Sequence, residues 1–151
     1  MMYSEIADNL AKQLPKSEFQ KLQNKTWHLG IFTEPCLSYM MDHKKTIESR
    51  FSKNKISPYN RITKDDIVII KKSGGEVLGY FTIKKITFYD LTITNILSIK
   101  DKYEKELCVA EEFWGQKKNS QYATLIEIDS IVKLEPFKIN KKGMQTWIIL
   151  N

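Results

Sequence analysis

The sequence predicts an α+β domain: a curved or closed, mostly antiparallel sheet with short peripheral helices and an N-terminal helical extension. Three observations lead there. The 151 residues are 42% hydrophobic and 11% aromatic, and these residues are spread along the whole length, which suits one packed domain and argues against disorder. Apolar residues recur at helical spacing in some stretches and in short β-branched runs in others. The Ser73-Gly74-Gly75 turn separates two such runs, the clearest hairpin in the chain.

The elements follow in order. Ile6, Leu10 and Leu14 form one helical stripe over residues 4–14, ended by Pro15. Ser17 and Gln20 have capping-box spacing for a second short helix to about Leu22. Residues 1–25 are therefore expected to form the extension and 26–151 the main domain. Trp27–Thr33 reads as a strand. Glu34-Pro35 suits a helix start, with Leu37, Met40 and Met41 on the buried side. Strand character returns over Thr46–Phe51, and Ser52–Lys64 reads as an irregular basic loop around Pro58. The hairpin strands are Asp66–Lys71 and Val77–Tyr89. Short helices are expected over Thr94–Tyr103 and Glu111–Lys117. Tyr122–Val132 is a strand, a loop holds Pro136, and Gln145–Leu150 closes the chain as a strand.

The formal charge is +6, and it is concentrated. Between residues 44 and 72 stand nine basic and three acidic residues, and the remainder is balanced. A localised positive field attracts phosphates, although a solvated lysine-rich surface gives the same count. No apolar run approaches the roughly 20 residues of a bilayer span, so no membrane partner is expected. The start, Met-Met-Tyr-Ser-Glu-Ile-Ala-Asp, lacks a basic segment followed by an apolar one, and Cys36 and Cys108 read as reduced thiols. A cytoplasmic location is expected. His28 and His43 are the only histidines, with no ligand spacing, so neither a metal nor another cofactor is expected. Cys36 lies near a helix start, which would lower its pKa, but a buried structural thiol is the simpler reading.

The run His43-Lys44-Lys45-Thr46-Ile47-Glu48-Ser49-Arg50 resembles the signature of the ASCH domain, a branch of the PUA-like superfamily. Lys45, Thr46, Glu48 and Arg50 match it, and His43 sits where glycine is common. Thr63-Lys64-Asp65-Asp66-Ile67-Val68-Ile69 is similar to the family's glycine-aspartate strand entry, with Lys64-Asp65 departing from the usual Pro-Gly or Lys-Gly. Val77-Leu78-Gly79-Tyr80-Phe81 is similar to its second hairpin strand. The resemblance covers about residues 27–150. It implies a PUA-like β-barrel that binds RNA, single-stranded nucleic acid or a modified nucleobase. It also implies an alternative, a small hydrolase acting on RNA or on an acylated nucleoside such as N4-acetylcytidine. In such hydrolases a nucleophilic threonine stands three residues after the lysine. Here that place holds Glu48, and the threonine is Thr46, which leaves catalysis open. If the chain is an enzyme, the working set is Lys45, Thr46 and Glu48.

Strand parity sorts the same residues on physical grounds. Ile47, Ser49 and Phe51 share one face, and Thr46, Glu48 and Arg50 the other. Glu48 and Arg50 either form a structural ion pair, or Arg50 meets a phosphate while Glu48 accepts from an exocyclic amine. Lys45, at the loop edge, suits a phosphate contact or general-base work. Lys53 belongs to the basic rim. Lys71 and Lys72 lead into the glycine turn, whose N–H groups suit an anion, although glycines in a turn are usually turn chemistry. For base stacking, Tyr59 is expected to be exposed between Pro58 and Asn60, with Trp27, Trp114 and Trp147 as further candidates. Trp147 stands in an apolar terminal strand, so core and platform both remain open. Gln145 suits a base edge or a loop backbone. The sequence leaves the oligomeric state undetermined.

Overall fold

In a computed structural model, residues 2–151 are described. The helices are α1 (Met2–Gln13), α2 (Lys16–Gln23), α3 (Cys36–Met41), α4 (Ile96–Leu107) and α5 (Glu111–Gln116). The strands are β1 (Trp27–Phe32), β2 (Ile47–Ser52), β3 (Ile67–Lys72), β4 (Val77–Asp90), β5 (Tyr122–Phe137) and β6 (Trp147–Ile149). The six strands form one sheet in the order β2-β5-β4-β3-β1-β6. The fold is α+β, as expected, and the order of elements is the expected one. The sheet is mixed: β2–β5, β3–β4 and β1–β6 are antiparallel, but β1 and β3 run parallel. The long connection from Thr33 to Asp66 permits that crossover, which no hairpin allows.

The chain divides into two compact units. The first comprises the residues up to Thr33, then Asp65–Ile83 and Asp129–Asn151. Its core gathers Ile6, Leu10 and Leu22 with Trp27, Leu29, Ile67 and Ile69. The i, i+4 spacing of Ile6 and Leu10 puts both inside, each contributing about 1.5–3 kcal/mol. The residues expected as an extension thus share a core with β1 and β3. Trp27 donates its indole N–H to the Leu22 carbonyl at 2.7 Å. Gly79 lets β4 come close to β5, since a Cβ there would lie 2.4 Å from the Val132 oxygen. At the β3–β4 hairpin, Gly75 N–H donates to the Lys72 carbonyl, and Gly74 takes φ +68°, a value glycine adopts freely.

The second unit comprises Glu34–Lys64 and Lys84–Ile128. Its core joins Ile47, Ile99, Leu107, Trp114, Ala123 and Leu125. Phe51 meets Phe113 and Trp114 edge-on, with ring centroids 5.6 and 6.4 Å apart, a favoured aromatic geometry. α4 starts because Asn95 Oδ1 accepts the Leu97 N–H at 2.9 Å. It ends at Cys108, which adopts a left-handed conformation and donates its N–H to the Glu104 carbonyl. Pro35 is the N-cap of α3, and the Glu34 carboxylate accepts both the N–H and the hydroxyl of Ser38, at 2.8 and 2.7 Å.

Three local expectations change. The Ser17–Gln20 capping box does not form, because α2 begins two residues earlier, at Lys16, with Pro15 as its cap and no side-chain bond. Pro136 lies inside β5 rather than in a loop. It is the penultimate residue of that strand. β6 begins at Trp147, which leaves Gln145 and Thr146 outside the strand.

Candidate functional site

The signature lies in the second unit, at the entry to β2. α3 closes in a turn where the N–H groups of Lys44 and Lys45 both donate to the Tyr39 carbonyl, at 2.8 and 3.0 Å. The Lys45 side chain then turns inward and is 2% exposed. Its ammonium donates to the carbonyl of Leu107, the last residue of α4, at 2.5 Å, and lies 3.6 Å from Glu48 Oε1. A cation at a helix C-terminus is favourable because the last carbonyls are unsatisfied and carry partial negative charge. Lys45 is therefore a buried strut, which corrects the expectation of a side chain at a loop edge.

Glu48 is 7% exposed and joins the neighbouring groups. Its Oε1 accepts the Ser49 N–H at 3.0 Å, and its Oε2 accepts Arg50 Nε and Nη2 at 3.2 and 3.0 Å. The parity expected from sequence holds for these two, while Ile47 and Phe51 face the core. Thr46 precedes the strand. It is exposed and pinned by its backbone, donating to Glu106 and accepting from Ile128.

Pairing of β2 with β5 places Thr124 directly across from Arg50 and Ile126 across from Glu48. Directly paired residues share a face, so Thr124 belongs to the polar side. It is 1% exposed, and among the described residues its hydroxyl has no hydrogen-bond partner. A buried hydroxyl left unsatisfied costs about 1–3 kcal/mol. Sequence reasoning missed Thr124, because a threonine in a strand is ordinary. Only the register with Arg50 marks it.

A hollow of about 540 Å³ lies in the same unit, lined by Cys36, Tyr39, Cys108, Phe113 and Gln116 among others, within the usual range of roughly 300–1,000 Å³ for small-molecule sites. Burial pushes the Cys36 thiol above its ordinary value. Lys45 opposes that shift, and Glu48, Cys108 and Glu34 reinforce it. A raised value fits the simpler reading of Cys36 as a structural thiol rather than one activated by a helix start, although the side chain is half-buried.

The basic segment divides by exposure. Lys44, Lys53, Lys55, Arg61, Lys64 and Lys72 are exposed, whereas Lys45 and Lys71 are buried. Tyr59 is half-buried rather than exposed, with its ring centroid 4.8 Å from Tyr122 and 5.5 Å from Phe88. Lys55 Nζ sits 5.5 Å from the Tyr122 ring centroid, a cation–π distance. Exposed cations of the loop thus lie near two partly open rings, Tyr59 of the loop and Tyr122 of β5.

In the first unit, Trp147 is buried and donates its indole N–H to His28 Nδ1 at 3.1 Å. It is core, which corrects its reading as a stacking platform. Trp27 and Trp114 are buried as well. Lys71 and Gln145 line one hollow, while Lys72 points to solvent. Among the described residues, no group of three or more His, Cys, Asp or Glu could hold a metal ion. Among the described residues, no helix is long and apolar enough to cross a membrane.

Two departures from the ASCH signature have a common explanation. His43 and Asp65, which stand at its glycine positions, have φ of 62° and 73°. The backbone there keeps the left-handed conformation that glycine adopts most easily.

A mixed six-stranded sheet with this short helix before the signature strand defines an α+β protein of a particular topology. That topology is the ASCH fold. ASCH from Zymomonas mobilis superposes with a TM-score of 0.65 at 14% identity, covering 83% of this chain and 87% of that one. A tyrosine-to-phenylalanine variant of that protein gives a TM-score of 0.65 and 14% identity over 83% and 90% of the two chains. A serine-to-alanine variant gives 0.64 and 15% over 83% and 88%. No protein-family model matches the chain, and none of the curated proteins does.

Proposed function

We propose that the chain is an ASCH-type module that binds RNA, other single-stranded nucleic acid or a modified nucleobase on the polar face of β2 and β5. The observation that carries this reading is Thr124, whose buried hydroxyl lacks a partner among the described residues and lies across from Arg50, on the same face as Glu48. On this face Glu48 and Arg50 hold each other in an ion pair, and the Thr124 hydroxyl is the group left to meet a nucleobase edge. The exposed cations of residues 53–64 supply phosphate contacts, and Tyr59 with Tyr122 offers ring surface for stacking.

The test uses fluorescence anisotropy with a labelled single-stranded RNA, and calorimetry with cytidine and N4-acetylcytidine. Thr124→Val should weaken binding roughly fivefold, the worth of one hydrogen bond. The same variant should raise Tm by about 2–4 °C, because it removes an unsatisfied buried group. Weaker binding with higher stability marks a residue kept for its ligand. Absence of binding at low salt to RNA, DNA and both nucleosides would sink the proposal.

The hydrolase reading has less support. The Lys45 ammonium is spent on the Leu107 carbonyl and Glu48, so it is not poised to take a proton from Thr46. Chromatography of N4-acetylcytidine after incubation with the protein reads this alternative directly.

A further inference from the structure

A second hollow, of about 350 Å³, lies within the first unit, lined among others by Lys71, Lys141, Ser73, Gly74, Gly143 and Gln145. It brings together two glycine turns that are distant in sequence. Gly74 and Gly143 have φ of +68° and +83°, and such turns direct backbone N–H groups outward. Among the described residues, the exposed Gly74 N–H, Ser73 hydroxyl and Gln145 side chain show no hydrogen-bond partner.

The cations of this hollow lack a counter-charge. Lys71 is 8% exposed, yet its ammonium donates only to the Lys72 carbonyl, at a long 3.2 Å. Lys141 donates to the Gly143 carbonyl at 2.9 Å. Among the described residues, neither lysine is paired with a carboxylate. Burial, and then the neighbouring Lys141 charge, push Lys71 below the ordinary lysine range. A charge held partly away from water without a counter-ion is destabilising, and an anion would offset it. A register shift falls between Ile70 and Lys71, and such bulges often re-aim a side chain at a site.

We propose that this hollow binds a phosphomonoester. Two ammonium groups match a phosphate that carries about −1.5 to −2 at neutral pH, whereas a carboxylate would leave one of them uncompensated. The turn N–H, hydroxyl and amide supply the remaining donors. The site uses residues of the first unit alone, so it stands or falls separately from the nucleobase reading.

The experiment titrates inorganic phosphate, AMP and adenosine into the full chain at constant ionic strength, following the backbone amides of Gly74 and Gly143 by NMR. Phosphate and AMP should shift both amides saturably, and adenosine should shift neither. Lys71→Met, which keeps the apolar stem, should weaken binding at least tenfold, and Lys141→Met should weaken it as well. Lys72→Met, beside the hollow but outside it, should bind as the parent does. If Lys71→Met fails to fold, Lys141→Met and Lys71→Arg carry the test. Equal shifts from chloride, non-saturable shifts, or unchanged affinity in both lysine-to-methionine variants would overturn the site. Saturable shifts from an oligonucleotide without terminal phosphates, and none from AMP, would overturn the monoester assignment.

Discussion

His28 is locked by both of its ring nitrogens. Nδ1 accepts the Trp147 indole N–H at 3.1 Å, so the ring proton sits on Nε2, 2.8 Å from Asp66 Oδ2. A second proton would have to go to Nδ1, which would end the bond with Trp147. Burial lowers the His28 pKa, and the hydrogen bond and charge of Asp66 offset that only partly. The unfolded chain, near pH 6.5 for histidine, then binds the proton first. Stability from this group is complete above about pH 6.5 and is lost as pH falls through the lower folded value, by at most about 1.4 kcal/mol per pH unit. Urea unfolding at pH 7.5, 6 and 5 should show this slope. His28→Gln should lack that share of it, and equal slopes in both proteins would remove His28 as the cause. Residues of this kind are hard to find from sequence. His28 carries no spacing signal, and its role depends on Trp147 and Asp66, which come from distant parts of the chain. Glu48 and Arg50 were legible because the strand period alone puts them on one face. Thr124 was not, because its meaning depends on a register between strands far apart in sequence.

Elements were read well where a local rule governs them. The stripe of Ile6 and Leu10, the hairpin at Ser73-Gly74-Gly75 and the α3–β2 passage all follow from neighbouring residues. The errors came where two local rules competed. Pro15 took the cap of α2 from Ser17, and β5 ran through Pro136. The left-handed residues before β2 and β3 show the same competition in the other direction. There the fold imposes a glycine conformation on His43 and Asp65. Left-handed geometry costs most L-residues roughly 1–2 kcal/mol, and glycine loses about 0.5–1 kcal/mol in unfolded-state entropy. His43→Gly should therefore stabilise by up to about 1 kcal/mol. Asp65→Gly should gain less, since aspartate tolerates this conformation. Thermal unfolding of both single variants measures it, and a drop in Tm for His43→Gly would contradict the account.

At the scale of the whole chain, sequence alone located the charge but did not assign it. Nine basic residues fall between positions 44 and 72, yet the fold draws Lys45 and Lys71 inside and ties Arg50 to Glu48. What remains for a polyanion is the exposed set that includes Lys53, Lys55, Arg61 and Lys64. If these four contact phosphates, the salt dependence of RNA binding should carry them. Each contact to a single strand adds about 0.7 to the slope of log K against log salt. Replacing all four with alanine should flatten that slope by up to roughly 3. An unchanged slope would assign these side chains to solvent alone. The crossover that makes β1 and β3 parallel was invisible for a related reason. Pairing across the interval from Thr33 to Asp66 leaves no mark in either strand's own composition.

The bond from Lys45 to the end of α4 bears on how this protein can be dissected. An alanine at position 45 would strip Glu48 of one counter-charge and unfasten the last turn of α4 in the same stroke. Cys108, which closes that turn, would be displaced with it. A dead Lys45 variant would therefore look the same whether the lysine reacts, binds or merely fastens. Among the signature residues it is the most tempting to mutate and the least informative witness, whereas Thr124, which fastens nothing, can give unambiguous testimony.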